Sequence, residues 1–250
     1  MKVFSVYGYT NSGKTTTVIN LIKELKKRGY EVATIKDIHA KSFSMEKEGS
    51  DSWKHRQASK NLVFARGQEA TYQIWHKKLT LKEMLNHITA DYVIVEGMKS
   101  FPLPKILCAS SKADIGSLIY STTFAISGKV SEKENKFRSF KIYNSIQDIK
   151  VLADLVEEKV FDILPYVDPN CCQACGMSCS DLCAEILAGN NSRKDCVMDN
   201  KEKIELIIND KKIEIVPFVQ NLIYDVIIGI IKNLKGYKKG EIKIKINSKA

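Results

Sequence analysis

Residues 8–15 read Gly-Tyr-Thr-Asn-Ser-Gly-Lys-Thr, a G-x-x-x-x-G-K-T pattern. Before them, residues 2–7 (KVFSVY) are short, apolar and rich in β-branched and aromatic side chains, which predicts a buried strand. After them, Val18, Leu21, Ile22 and Leu25 recur at helical spacing until Gly29. A glycine loop between a strand and a helix is the context in which this pattern cradles phosphate. Gly8 and Gly13 let the backbone turn, so that the N–H groups of Asn11, Ser12, Gly13, Lys14, Thr15 and Thr16 converge on an anion. Lys14 can reach the β- and γ-phosphates, and the Thr15 hydroxyl can ligate Mg²⁺. These residues predict a nucleoside triphosphate site with Lys14 in a catalytic role.

The rest of the first 162 residues alternates between strand and helix signals. Strands are expected over residues 31–36, 91–97, 105–109 and 122–127, with a hairpin of residues 61–66 and 70–75 about Gly67. Residues 81–87 read as a short helix, and residues 146–160 as a closing helix with Ile149, Leu152, Leu155 and Val156 on one face. The expected fold is α/β, a doubly wound, mostly parallel P-loop NTPase sheet with ligands at the C-terminal strand ends. Residues 37–59 are polar, without helical or strand period across 36–55, and read as a loop able to close over a ligand. It holds His39, Asp51, Ser52, Lys54 and His55.

A Mg²⁺–nucleotide site needs a carboxylate at a neighbouring strand end. Glu96 closes the apolar run DYVIVEG and is the first candidate, for both metal and catalysis. Asp37, ending the second strand, is the alternative metal ligand.

Cysteine use is lopsided: six of seven lie between residues 171 and 196. Cys172-x2-Cys175-x3-Cys179 with a later Cys196 supplies four thiolates, suited to a 4Fe-4S cluster or to zinc. Cys171 could replace Cys172, whereas Cys183 and Cys108 read as buried thiols. The crowded triplet resembles the four-cysteine iron–sulfur module of corrinoid and membrane electron-transfer proteins, with three residues where that module has four. A proline-bearing stretch, residues 161–170, precedes it as the linker. Residues 163–250 therefore form a small C-terminal Cys-rich α+β domain: the iron–sulfur segment 171–196, then a hairpin of residues 204–208 and 212–216, a helix after Pro217 and a strand over 241–246.

The net charge of +10 comes mainly from lysines scattered over helix faces and the C-terminal third, a solvated surface rather than a nucleic-acid face. The chain opens on a strand without a signal peptide, and its most apolar window, residues 218–234, is too short and too polar to span a membrane. A cytoplasmic protein is expected.

Three spaced motifs accompany the glycine loop: Asp51-Ser52-Trp53-Lys54-His55, Val95-Glu96-Gly97-Met98-Lys99 and Pro104-Lys105-Ile106. Together, over roughly the first 160 residues, they resemble the molybdopterin-guanine dinucleotide biosynthesis protein B (MobB) family. The run Lys36-Asp37-Ile38-His39 stands where the family carries a lysine followed by histidines, Ser50 replaces a lysine, and Lys54 replaces an arginine. The resemblance implies a GTP-binding, slowly hydrolysing homodimer that serves the enzyme attaching GMP to molybdopterin, or a molybdoenzyme. No N-K-x-D guanine signature is present, so GTP over ATP follows from the resemblance alone. The other reading of the residues is a redox-responsive regulatory NTPase or metallochaperone; a small-molecule kinase is a third.

Overall fold

A computed structural model describes residues 1–250 except 41–42, 166–171, 200–203, 210, 214, 216, 239, 241, 245 and 247–250. The chain forms two compact units, Met1–Asp195 and Cys196–Ala250.

In the first unit, strand β1 (Lys2–Tyr7) leads through the glycine loop into α1 (Lys14–Lys27), followed by β2 (Val32–Lys36). Helix α2 (Asp51–Ser59), the hairpin β3 (Val63–Arg66) and β4 (Thr71–Ile74), and α3 (Leu81–Leu85) come next. Then β5 (Tyr92–Glu96), β6 (Lys105–Cys108), α4 (Lys112–Leu118) and β7 (Thr123–Ser127) complete the sheet. A short hairpin, β8 (Lys136–Phe137) and β9 (Phe140–Lys141), precedes α5 (Ile149–Lys159) and α6 (Cys179–Ala188).

The five-stranded sheet has the order β2-β5-β1-β6-β7, and every pairing in it is parallel. The parallel sheet with flanking helices is the architecture expected from the alternating signals. Side chains along β1 alternate between its two faces. Phe4 and Val6 pack with Leu21 and Leu25 of α1 and Leu152 and Val156 of α5, all at 6% exposure or less. Val3, on the opposite face, packs with Val93, Val95, Leu81, Leu85 and Leu103. Leu107, Ile115, Leu118 and Ile126 close the β6–β7 end over α4. Each such buried aliphatic side chain contributes about 1.5–3 kcal/mol relative to exposure, so both faces must be covered.

Three expectations need correction. Residues 37–59 are not loop throughout, since α2 occupies Asp51–Ser59. This helix buries no residue, so it lacks the apolar stripe that periodicity detects. Instead the Ser50 hydroxyl caps it by accepting the Trp53 amide, and Arg56 pairs with the buried carboxylate of Glu46. Helix α4 was not expected at all; it is started by a capping box in which Ser111 and Asp114 bond reciprocally. Residues 242–244 and 246 are not strand, and 241 and 245 lie outside the described residues. Their alternating isoleucines have no adjacent strand among the described residues, and a lone extended segment is not a sheet.

The second unit contains β10 (Leu206–Ile208) paired antiparallel with β11 (Lys211–Ile213), then α7 (Pro217–Ile231). The last residues of the expected linker, and Cys171, lie outside the described residues. Among the described residues, no helix is long and apolar enough to cross a membrane.

Candidate nucleotide site

Central strand β1 delivers the glycine loop to the C-terminal rim of the sheet, between β5 on one side and β6 on the other. Gly13 is the N-cap of α1, in left-handed conformation, and no side chain caps the helix. No acidic residue stands in its first turn. By contrast, α2, α3, α4 and α6 each have a Ser or Thr cap and an acid in the first turn. The amides of Gly13, Lys14, Thr15 and Thr16 have no hydrogen-bond partner among the described residues. Four uncapped amides and the positive end of the helix dipole are an arrangement suited to an anion.

Neighbouring backbone shapes the loop. A Cβ on Gly8 would fall 1.9 Å from the Cys108 carbonyl oxygen, so only glycine lets β1 turn against the end of β6. Asn11 takes a positive φ of 60°, and Ser12 is fully buried. The Lys14 ammonium is parked on the Tyr9 carbonyl oxygen at 2.7 Å. Thr16 is exposed at the same rim.

Strand β5 runs beside β1 and places Glu96, 9% exposed, under the loop. The Thr15 hydroxyl donates to Glu96 Oε1 at 3.1 Å and to Oε2 at 3.3 Å. Lys36, opposite Glu96 in the β2–β5 register, donates its ammonium to Oε1 at 3.1 Å. Asp37 follows on the same rim: its amide donates to the Glu96 carbonyl, and its Cβ lies 3.1 Å from where a Gly97 Cβ would project. Its carboxylate faces His39 Nε2 at 3.7 Å. Thr15 and Glu96 are thus brought together, with Asp37 on the adjoining strand end. Asp51 and Lys54 pair with each other on the outside of α2 at 3.2 Å, and His55 is exposed there. Among the described residues, no side chain of this outer group is bonded to the glycine loop.

Two contributors were not among the expected site residues. Lys36 supplies the ammonium that neutralises Glu96. The turn after β7 touches the loop from behind: the Lys129 amide donates to the Ser12 carbonyl at 3.1 Å, next to Gly128. The S-G-K run at 127–129 could have drawn attention only as a glycine at a strand end.

At the other end of β6, Lys105 is buried and donates to the carbonyls of Phe101 and Leu103 and to Thr122 Oγ1, at 2.6, 3.1 and 2.7 Å. Burial lowers its pKa to about 8, opposed by the nearby Cys183. It ties the connection that follows Glu96 to the sheet.

Of the cysteines, Cys172 is exposed, Cys175 is half-buried, and Cys179 is buried as the first residue of α6. A tight turn with positive φ at Gln173 and Gly176 leads into that helix, which ends on left-handed Gly189. Cys196 is buried and opens the second unit. Cys108 and Cys183 are fully buried, with thiols pushed up to about 12 chiefly by burial. Among the described residues, no group of three or more His, Cys, Asp or Glu is arranged to hold a metal ion.

A parallel sheet whose central strand ends in an uncapped glycine loop, with a threonine hydroxyl set against a carboxylate from the next strand, is the P-loop NTPase architecture. Residues 3–126 match the family described as molybdopterin guanine dinucleotide synthesis protein B, and this part of the chain is similar to the MobB family. A Methanocaldococcus jannaschii protein, provisionally named a molybdopterin-guanine dinucleotide biosynthesis adapter protein, is 29% identical over 255 residues, covering 99% of this chain and 98% of the relative. That likeness runs through the cysteine segment and the second unit. The Haemophilus influenzae molybdopterin-guanine dinucleotide biosynthesis adapter protein is 36% identical over 110 residues, 42% of this chain and 61% of the relative. The crystal structure of Bacillus subtilis MobB shares the fold, with a TM-score of 0.54 at 23% identity over 65% of this chain and all of that one.

Proposed function

We propose that this chain is a GTP-binding adapter of molybdopterin-guanine dinucleotide biosynthesis, a slow GTPase that serves the enzyme attaching GMP to molybdopterin. The observation that carries the reading is the pairing of Thr15 with Glu96 beside four amides without a partner among the described residues, inside a domain that matches the MobB family. The loop amides and Lys14 would bind the phosphates, and Lys14 would leave the Tyr9 carbonyl to do so. Thr15, Glu96 and Asp37 are hard oxygen donors and fit Mg²⁺, which would supply charge neutralisation at the β- and γ-phosphates. Without the ion, Lys36 neutralises Glu96 at the rim. The names of the relatives support the pathway, and the choice of GTP over ATP follows from the family resemblance. A homodimer belongs to the same reading.

The cysteine segment supports a second component, an iron–sulfur cluster held by Cys172, Cys175, Cys179 and Cys196, with zinc as the competing metal. Its support is the sequence spacing and the tight turn over residues 173–176 ahead of α6. Four thiolates would give a cluster electron-transfer chemistry or a purely structural role.

Calorimetry on anaerobically purified protein tests both. Mg²⁺–GTP should bind at micromolar Kd or better, ATP more weakly, and Lys14→Ala should lose about a hundredfold. Absence of nucleotide binding would overturn the adapter reading. Metal analysis should find about four irons per chain with broad visible absorbance, lost in Cys175→Ala while GTP binding is kept. A colourless protein with one zinc would replace the cluster.

A further inference from the structure

The peptide joining Ser12 to Gly13 is held from outside the glycine loop. Its carbonyl accepts the Lys129 amide at 3.1 Å. The peptide is trans, as no cis bond is present among the described residues, so its N–H is antiparallel to its C=O. Anchoring the carbonyl on Lys129 therefore turns the Gly13 N–H the opposite way, away from residues 128–129. That N–H is the first of the four amides that stand unpartnered at the start of α1.

The anchor is itself fixed. The Ala109 amide donates to the Ser127 carbonyl at 3.0 Å, and the Val130 amide to the Ala109 carbonyl at 2.9 Å, which bolts the turn to the end of β6. Gly128 has a φ of +93°. A Cβ on it would lie 2.3 Å from the Ser12 carbonyl oxygen and within 2.9 Å of the Ala109 backbone, so only glycine permits this approach. The side chain of Lys129 is exposed, and its contribution is its backbone N–H.

The geometry points to residues 128–129 as a latch that orients the Gly13 amide for the nucleotide phosphates before ligand arrives. Lys129 is a positioning residue acting through the Ser12–Gly13 peptide. An amide already aimed costs no reorientation on binding, which is where preorganised sites gain affinity. The inference rests on the reading of the loop as a GTP site.

Lys129 opens a 3-10 helix, Lys129–Glu132, where proline is tolerated, and Gly128 has the extended ψ of −164° that a following proline requires. Lys129→Pro therefore removes the N–H and pushes the Ser12 carbonyl aside, whereas Lys129→Ala keeps the N–H and removes only the charge. Titrating Mg²⁺–GTP by calorimetry, Lys129→Ala should stay within about twofold of the parent, and Lys129→Pro should bind at least about tenfold more weakly while still unfolding in one cooperative transition. Equal affinities in the two variants, or a tenfold loss in Lys129→Ala, would overturn the latch. A parent protein that binds no GTP would instead overturn the nucleotide reading. If Lys129→Pro does not fold, amide exchange followed by NMR on the unmodified chain decides. The Lys129 amide should be protected with and without GTP, and the Gly13 amide only with GTP. A freely exchanging Lys129 amide in the nucleotide-free protein sinks the proposal.

Discussion

The Thr15 hydroxyl donates to both carboxylate oxygens of Glu96, joining residues 81 positions apart at the ends of one loop and one neighbouring strand. This couples the hydroxyl proposed to ligate the metal to the only buried carboxylate found beneath the loop among the described residues. A carboxylate this close to a polyphosphate repels it until a divalent cation intervenes. Glu96→Gln should therefore bind GTP at least as well as the parent in EDTA, and its gain in affinity on adding Mg²⁺ should be about tenfold smaller. Calorimetry with and without Mg²⁺ measures this; an unchanged Mg²⁺ dependence would remove Glu96 from the metal site.

Gly8 and Gly29 both have positive φ but different surroundings. A Cβ on Gly8 meets the Cys108 carbonyl oxygen at 1.9 Å, whereas one on Gly29 meets nothing within 4 Å. Gly29→Ala should cost about 1 kcal/mol, the strain of a left-handed residue after a helix. Gly8→Ala should cost about 3 kcal/mol or more, since backbone must move. Urea unfolding of the two variants separates strain from overlap, and equal costs would contradict the close approach of β6.

Arg28 caps the C-terminus of α1 and ties it to α5. Its guanidinium reaches Glu24 at 3.1 Å, Asp154 at 2.7 Å, Glu157, and the Lys150 carbonyl at 2.9 Å. With the side chain 20% exposed, Arg28→Ala should cost about 1–3 kcal/mol. Arg28→Lys should recover less than half, because one ammonium cannot span four acceptors in a plane. Full recovery by lysine in denaturant titrations would show that only charge matters.

Five buried groups set an alkaline limit. Burial is the leading cause for each: it pushes Cys108 and Cys183 from 9.0, and Tyr7 and Tyr92 from 10.0, up to about 12, and Lys105 from 10.5 down to about 8. Between pH 8 and 9 the unfolded chain holds the Lys105 proton that the native state has lost, so this term raises stability with pH. Above 9 the native thiols, and above 10 the native phenols, keep protons that the unfolded chain gives up, and stability falls. The combined contribution peaks near pH 9 and falls between 10.5 and 12, where the native state holds about 4 protons more than the unfolded chain. Cys108→Ala should make that descent shallower by one proton, read from denaturation midpoints across pH; an unchanged slope would mean the thiol titrates normally.

Legibility in the chain followed the range of the interactions. The run YVIVE was readable as β5 because every residue in it is buried. Gly189 ends α6 in the left-handed conformation that glycine adopts most readily. Helix α2 was not readable, since its stability comes from Ser50 and the Glu46–Arg56 pair rather than from an apolar face. The S-x-x-D box at Ser111 and Asp114 was present as a signal for α4. The alternation over residues 241–246 misled because period alone does not supply a partner strand.

By itself the sequence determined the glycine loop, the strand before it and the helix after it, because those conformations depend on residues within a few positions of one another. It also determined which faces must be covered, through the periods of 2 and 3.6 in the apolar residues. Only the tertiary structure decided that Glu96 lies under Thr15, that Lys36 neutralises it, and that the Lys129 amide holds the Ser12 carbonyl. These contacts exist because β5 and β6 flank β1 and β7 lies beyond β6, and strand order is set by packing across the whole sheet rather than by any local pattern.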